Sequence, residues 1–131
     1  MDLRGVFIMI ELWKDIPNYK GRYQASNRGR IKSLGNNRTR KVKILKQFIN
    51  TKGYYSLALW INGKPKQYRV HQLIAITFHN HKPDGSMKLQ TDHKDGNKLN
   101  NKADNIHILT QLQHEQKNMI ENMVRRLKPM S

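Results

Sequence analysis

Cysteine is absent from this chain of 131 residues, which excludes disulfides and thiolate zinc sites. Acidic side chains are scarce: 9 Asp and Glu stand against 25 Lys and Arg, a formal net charge of +16. That imbalance calls for a polyanionic partner, whose binding would weaken steeply with salt as counterions are released. Long apolar runs are missing too. None approaches the roughly 20 residues that span a bilayer, so no membrane partner is expected. The patch Val6 to Ile10 is shorter than a secretory h-region and lacks a small-residue cleavage site, so action in the cytoplasm is expected. Hydrophobic residues make up 37% of the chain, below the roughly 45–50% of ordinary globular proteins. The core is therefore modest, and the length allows one domain, or one with a small appended module.

Turn residues divide the sequence into three parts. In the first, Glu11 to Leu34, turns at Asn18 to Gly21 and Asn27 to Gly29 flank short strands at Arg22 to Ser26 and Arg30 to Leu34. A basic stretch, Arg38 to Lys46, follows. In the second, Tyr54 to Ile61 alternates, with Tyr55, Leu57, Leu59 and Ile61 on one face; Asn62-Gly63 signals a tight hairpin and Lys66 to Val70 returns. Val70, Leu73, Ile74 and Phe78 then fall at helical spacing, predicting a short helix over His71 to Phe78. In the third, Met87 to Thr91 reads as a strand ending at Asp92-His93. The run Lys94 to Asp104 is an irregular loop, and Ile106 to Leu109 a second strand. Thr110 caps a helix reaching about Arg126, with Leu112, Met119, Ile120, Met123, Val124 and Leu127 as its apolar stripe. The class is α+β: small antiparallel strands in a β-rich module over 11–69, then a ββα unit within 70–127.

The third part carries the chemistry. A ββα unit brings the end of its first strand against the first turns of its helix. Asp92 and His93 lie at that strand end, Asn105 at the end of the loop and His114 on the helix. Together they supply two metal-ligand types, a base and a carboxamide. Phosphodiester hydrolysis needs those functions: a nucleophile, charge stabilisation at phosphorus and relief for the leaving oxygen. Asp92 and His114 are accordingly assigned as ligands of a hard divalent ion. His93 is the general base, because a neutral imidazole takes a proton near pH 7. Asn105 is the partner that fixes its other nitrogen. His107, between Ile106 and Ile108, is expected to face solvent. Asp95, Asn97, Asn100 and Asn101 are expected to tie the loop to its own backbone. The cations and the amide best placed for DNA phosphates are Arg38, Arg40, Lys41, Lys43, Lys94, Lys98, Lys102, Asn118 and Arg125.

The segment Asp92-His93-Lys94-Asp95-Gly96-Asn97-Lys98-Leu99-Asn100-Asn101, with Asn105-Ile106 and His114 behind it, resembles the HNH (His-Me finger) nucleases, most of all their phage homing-endonuclease branch. Trp13-Lys14-Asp15-Ile16, Tyr19, Gly21, Tyr23, Ser26-Asn27, Gly29, Ile31 and Ser33 resemble the motif with which that branch often begins. Val70-His71-Gln72-Leu73-Ile74-Ala75 is similar to the helix before the nuclease motif. The likeness spans roughly residues 12 to 115. It implies a ββα-metal fold, one divalent ion (Mg2+ or Mn2+), and nicking or double-strand cleavage of double-stranded DNA, leaving 5′-phosphate and 3′-hydroxyl ends. It implies the same roles for Asp92, His93, Asn105 and His114. It further implies a monomer or weak dimer in a phage-infected host cell, with other phage proteins as further partners. The chain departs from the family at Ile106-His107-Ile108-Leu109, where an aromatic-containing strand is common. Two rival readings stand beside it: a non-catalytic basic module that binds or regulates DNA, and a zinc module on His93, His107 and His114, which lacks the usual thiolates.

Overall fold

Short strands dominate the first half of the chain because turn residues interrupt it every few positions. The computed structural model describes residues 10–35, 38, 41–83 and 89–127. Strands β1 (Trp13–Asp15), β2 (Tyr23–Ser26), β3 (Ile31–Ser33) and β4 (Lys43–Ile44) form an antiparallel sheet in that order. Strands β5 (Phe48–Ile49), β6 (Tyr55–Ile61) and β7 (Lys64–Arg69) form a second. Asn62 and Gly63 both take positive φ (52° and 74°), which a tight two-residue hairpin requires. The β6 alternation appears as expected: Leu57 and Leu59 are buried, with Tyr55 and Ile61 packed at the core's edge.

Helix α1 (Val70–Phe78) is the shared centre. Val70, Leu73, Ile74 and Ala75 are fully buried, and the helix touches strands of all three sheets. One apolar cluster joins Ile16, Ala25 and Ile31 of the first part to Leu57 and Leu59 of the second and Ala103 and Ile106 of the third. Each of the Ile and Leu side chains among them contributes about 1.5–3 kcal/mol on burial. The core is therefore continuous across position 70.

The third part is a ββα unit. Strands β8 (Leu89–His93) and β9 (Ile106–Thr110) pair antiparallel, with Asp92 opposite His107 and His93 opposite Ile106. A 3-10 turn, Ala103–Asn105, precedes β9, and α2 (Gln111–Leu127) follows it. Thr110 caps α2 reciprocally: its Oγ1 accepts from Gln113 N at 3.2 Å, and Gln113 Oε1 accepts from Thr110 N at 2.9 Å. Met87, the expected start of β8, lies outside the described residues. The apolar stripe of α2 departs from the usual fate of such a stripe. Its six members are 51–78% exposed, because among the described elements only β8 and β9 pack on the helix to any extent.

Candidate active site

Adjacent strand residues point to opposite faces, and the end of β8 uses both. Asp92 turns toward α2. Its Oδ1 lies 3.6 Å from His114 Nε2, so the two expected ligands do converge. Its Oδ2 lies 2.9 Å from His107 Nε2 and 2.5 Å from Lys117 Nζ. His107 thus does not face solvent as expected: the β8–β9 register sets it directly across from Asp92. Lys117 was not among the expected site residues. Its position three residues beyond His114, on the same helix face, is the signal that marks it. Partial burial pushes the Asp92 carboxyl up, but hydrogen bonds and charge from Lys117 and His107 outweigh it and hold the group below its ordinary range.

His93 turns the other way and is only 4% exposed. Its ring packs 4.8 Å from that of His71 and 6.1 Å from that of Tyr54, centre to centre. Its Nε2 lies 2.7 Å from Asn101 Oδ1. A carboxamide oxygen only accepts, so Nε2 carries the proton and Nδ1 is left as the basic nitrogen. His71 is itself buried, and its Nδ1 has no hydrogen-bond partner among the described residues. Burial, then the nearby His93, pull the His71 pKa down to about 3. The ring is neutral at ordinary pH.

Asn105 does not bond to His93 as expected. Its Nδ2 donates to Asp95 Oδ1 at 3.0 Å and to Asn100 O at 2.9 Å, and its Oδ1 accepts from Asp95 N at 3.1 Å. The residue that fixes His93 is Asn101, four positions earlier in the loop. Asp95, Asn97 and Asn100 brace the loop as expected: Asn97 N and Leu99 N donate to Asp95 Oδ1 and Asn97 Oδ1 at 2.8 and 3.0 Å. Hydrogen bonds from Asn100, Asn97 and Asn105 hold the Asp95 carboxyl at a pKa of about 2. Asn105 therefore shapes the loop that carries Asn101 rather than touching His93.

Lys94, Lys98 and Lys102 are exposed on this loop, and Asn118 and Arg125 on α2. Lys98 Nζ also reaches Lys52 O at 3.1 Å and lies 5.0 Å above the Tyr54 ring. Arg38, Lys41 and Lys43 are exposed around β4. Lys41 and Lys43 line a shallow cavity of about 420 Å³ with Arg22 and Trp60. Arg40 lies outside the described residues. A cleft of about 350 Å³ adjoins the site, bordered by Tyr54, Arg69, His71, Thr91 and His114. A larger cavity of about 900 Å³ is walled by Ile16, Tyr19, Tyr68 and Leu73 among others, and among the described residues no carboxylate lines it.

Among the described residues, no three His, Asp or Glu side chains are arranged to hold a metal by themselves. A hard divalent ion of the magnesium kind does not require three. It is commonly held through one or two carboxylates, its waters and substrate phosphate oxygens. Asp92, a carboxylate with the His114 imidazole facing its Oδ1, suits that mode.

The strand–loop–strand–helix unit carries Asp92-His93 at its first strand end and His114 on its helix, and comparison with known proteins finds similar chains among H-N-H endonucleases. Residues 11–60 match the NUMOD4 motif. The chain is 42% identical over 99 residues to the DNA endonuclease I-HmuI of Bacillus phage SP01, covering 76% of this chain and 52% of that one. It is 32% identical over 112 residues to the H-N-H endonuclease F-TflII of Escherichia phage T5, covering 86% and 54%. The solved structure "DNA binding and cleavage by the HNH homing endonuclease I-HmuI" superposes with a TM-score of 0.67 at 37% identity, over 91% of this chain and 62% of that one. The chain is thus a relative of the HNH phage endonucleases and carries the NUMOD4 motif. It spans about half the length of the phage relatives named.

Proposed function

We propose that this chain is a metal-dependent DNA endonuclease that hydrolyses phosphodiester bonds, with His93 as general base and Asp92 and His114 holding one divalent ion, Mg2+ or Mn2+. One observation carries the reading: an imidazole whose Nε2 is committed to Asn101, on the strand end that also carries a carboxylate facing His114. A divalent ion held there would supply Lewis-acid stabilisation of the phosphate oxygens and the departing 3′ oxygen. His93 Nδ1 takes the proton of the attacking water; the bond from Nε2 to Asn101 keeps the ring in the tautomer that allows this. Asn105 holds the loop that presents Asn101. Arg38, Lys41, Lys43, Lys94, Lys98, Lys102, Asn118 and Arg125, with Arg40, hold the duplex by its phosphates. In this reading residues 11–69 serve as a DNA-binding module and 70–127 as the nuclease unit. A monomer with one site nicks one strand; cutting both takes two copies or two events. The chain acts in the cytoplasm of an infected host.

The test is a supercoiled plasmid incubated with Mg2+ or Mn2+, with and without chelator. Conversion to the nicked circle with metal and none with chelator is expected. Metal-independent DNA binding with no strand ever cut would favour the non-catalytic binder instead.

A further inference from the structure

Lys117 lies at the centre of the candidate ion site rather than at its rim. Its Nζ is 2.5 Å from Asp92 Oδ2 and 2.6 Å from the backbone oxygen of His93. Both partners are largely shielded: the side chains of Lys117 and Asp92 are 21% and 14% exposed. An ammonium so placed neutralises the one carboxylate assigned to the ion. A second cation on that carboxylate would lie within a few ångströms of the first, and like charges at that separation repel strongly in a partly buried site. An alternative seat exists one turn along α2, where Glu121 Oε1 is 3.8 Å from the same nitrogen. Glu121 is about half exposed, so a lysine moved there is near solvent.

We propose that Lys117 is a positioning residue acting as a place-holding cation: its ammonium holds Asp92 and the His93 backbone in register, and must move toward Glu121 before a divalent ion can bind. This rests on the reading of Asp92 as an ion ligand. Like-charge repulsion sets the two cations in competition for Asp92 even though Lys117 holds only its Oδ2, so Lys117 sets the metal concentration at which the site fills. It also keeps Asp92 paired at every stage, which avoids leaving a shielded carboxylate uncompensated.

The measurement is Mn2+ binding to the full chain without DNA, followed by the electron paramagnetic resonance signal of free Mn2+ at fixed ionic strength. Lys117→Met, which keeps the length of the stem and removes the charge, is expected to bind Mn2+ roughly tenfold tighter, the scale of a lost charge-assisted hydrogen bond. Lys117→Arg restores a cation and should return the affinity to within about twofold of the unmodified chain. Lys117→Gln should tighten binding like the methionine variant, and covers the case in which that variant fails to fold. Unchanged or weaker Mn2+ binding in both neutral variants would overturn the proposal. Asp92→Asn combined with Lys117→Met separates the two levels of the argument. Loss of the tight binding supports both, whereas its survival would show that Asp92 is not the ligand and overturn the site reading with the proposal.

Discussion

His71 shows how a residue without a direct chemical role still leaves a signature. Its ring fills the space between Tyr54 and His93, 5.0 and 4.8 Å from their centres. Burial, reinforced by His93, depresses its pKa to about 3, against about 6.5 in an unfolded chain. The unfolded state therefore binds a proton between pH 6.5 and 3 that the folded state refuses, so stability falls as pH drops through that window. From pH 7 to pH 5 the loss is on the order of 2 kcal/mol. Asp92 and Asp95, with lowered pKa values, act in the same direction but only in the more acid range where carboxyls titrate. His71→Phe should flatten the decline between pH 7 and 5, measured by urea unfolding at each pH. An identical slope in that variant would remove His71 as its source.

Elements explain which parts of the site were legible in the sequence. The Asp-His pair, the hairpin turn and the helix with its cap were readable because each depends on local spacing or turn chemistry. His107 and Asn101 were not. His107 depends on the register between β8 and β9, which no local pattern states. Asn101 depends on how an Asn-rich loop closes, and several amides there have the same chemistry. The role of the Ser26-Asn27-x-Gly29 turn was equally hidden. Asn27 O accepts from Ala103 N at 2.8 Å, and its side chain bonds Leu12 N and Ile10 O. Gly29, at φ +88°, sits so close to the Asn-rich loop that a Cβ would lie 2.9 Å from both Cβ and O of Asn101. The first sheet is thereby latched to the residue that fixes His93. Gly29→Ala should cost about 1–3 kcal/mol through backbone strain and that contact. Thermal unfolding would register the loss, and plasmid nicking should fall further than DNA binding. A variant of unchanged stability and activity would show the latch to be loose.

At the scale of the whole molecule, one continuous core and an excess of 16 positive charges divide the work. The core fixes the ββα unit against both sheets, while in the proposed reading the charge draws in DNA without reading its sequence. No helix among the described residues is long and apolar enough to cross a membrane. Binding and cutting should therefore be separable, and His93→Ala separates them most directly. With Mg2+ and a supercoiled plasmid, this variant should shift DNA in a gel at the same protein concentration as the unmodified chain. It should nick that DNA about 10²- to 10⁴-fold more slowly, the usual contribution of a general base. Nicking at the unmodified rate would contradict the account.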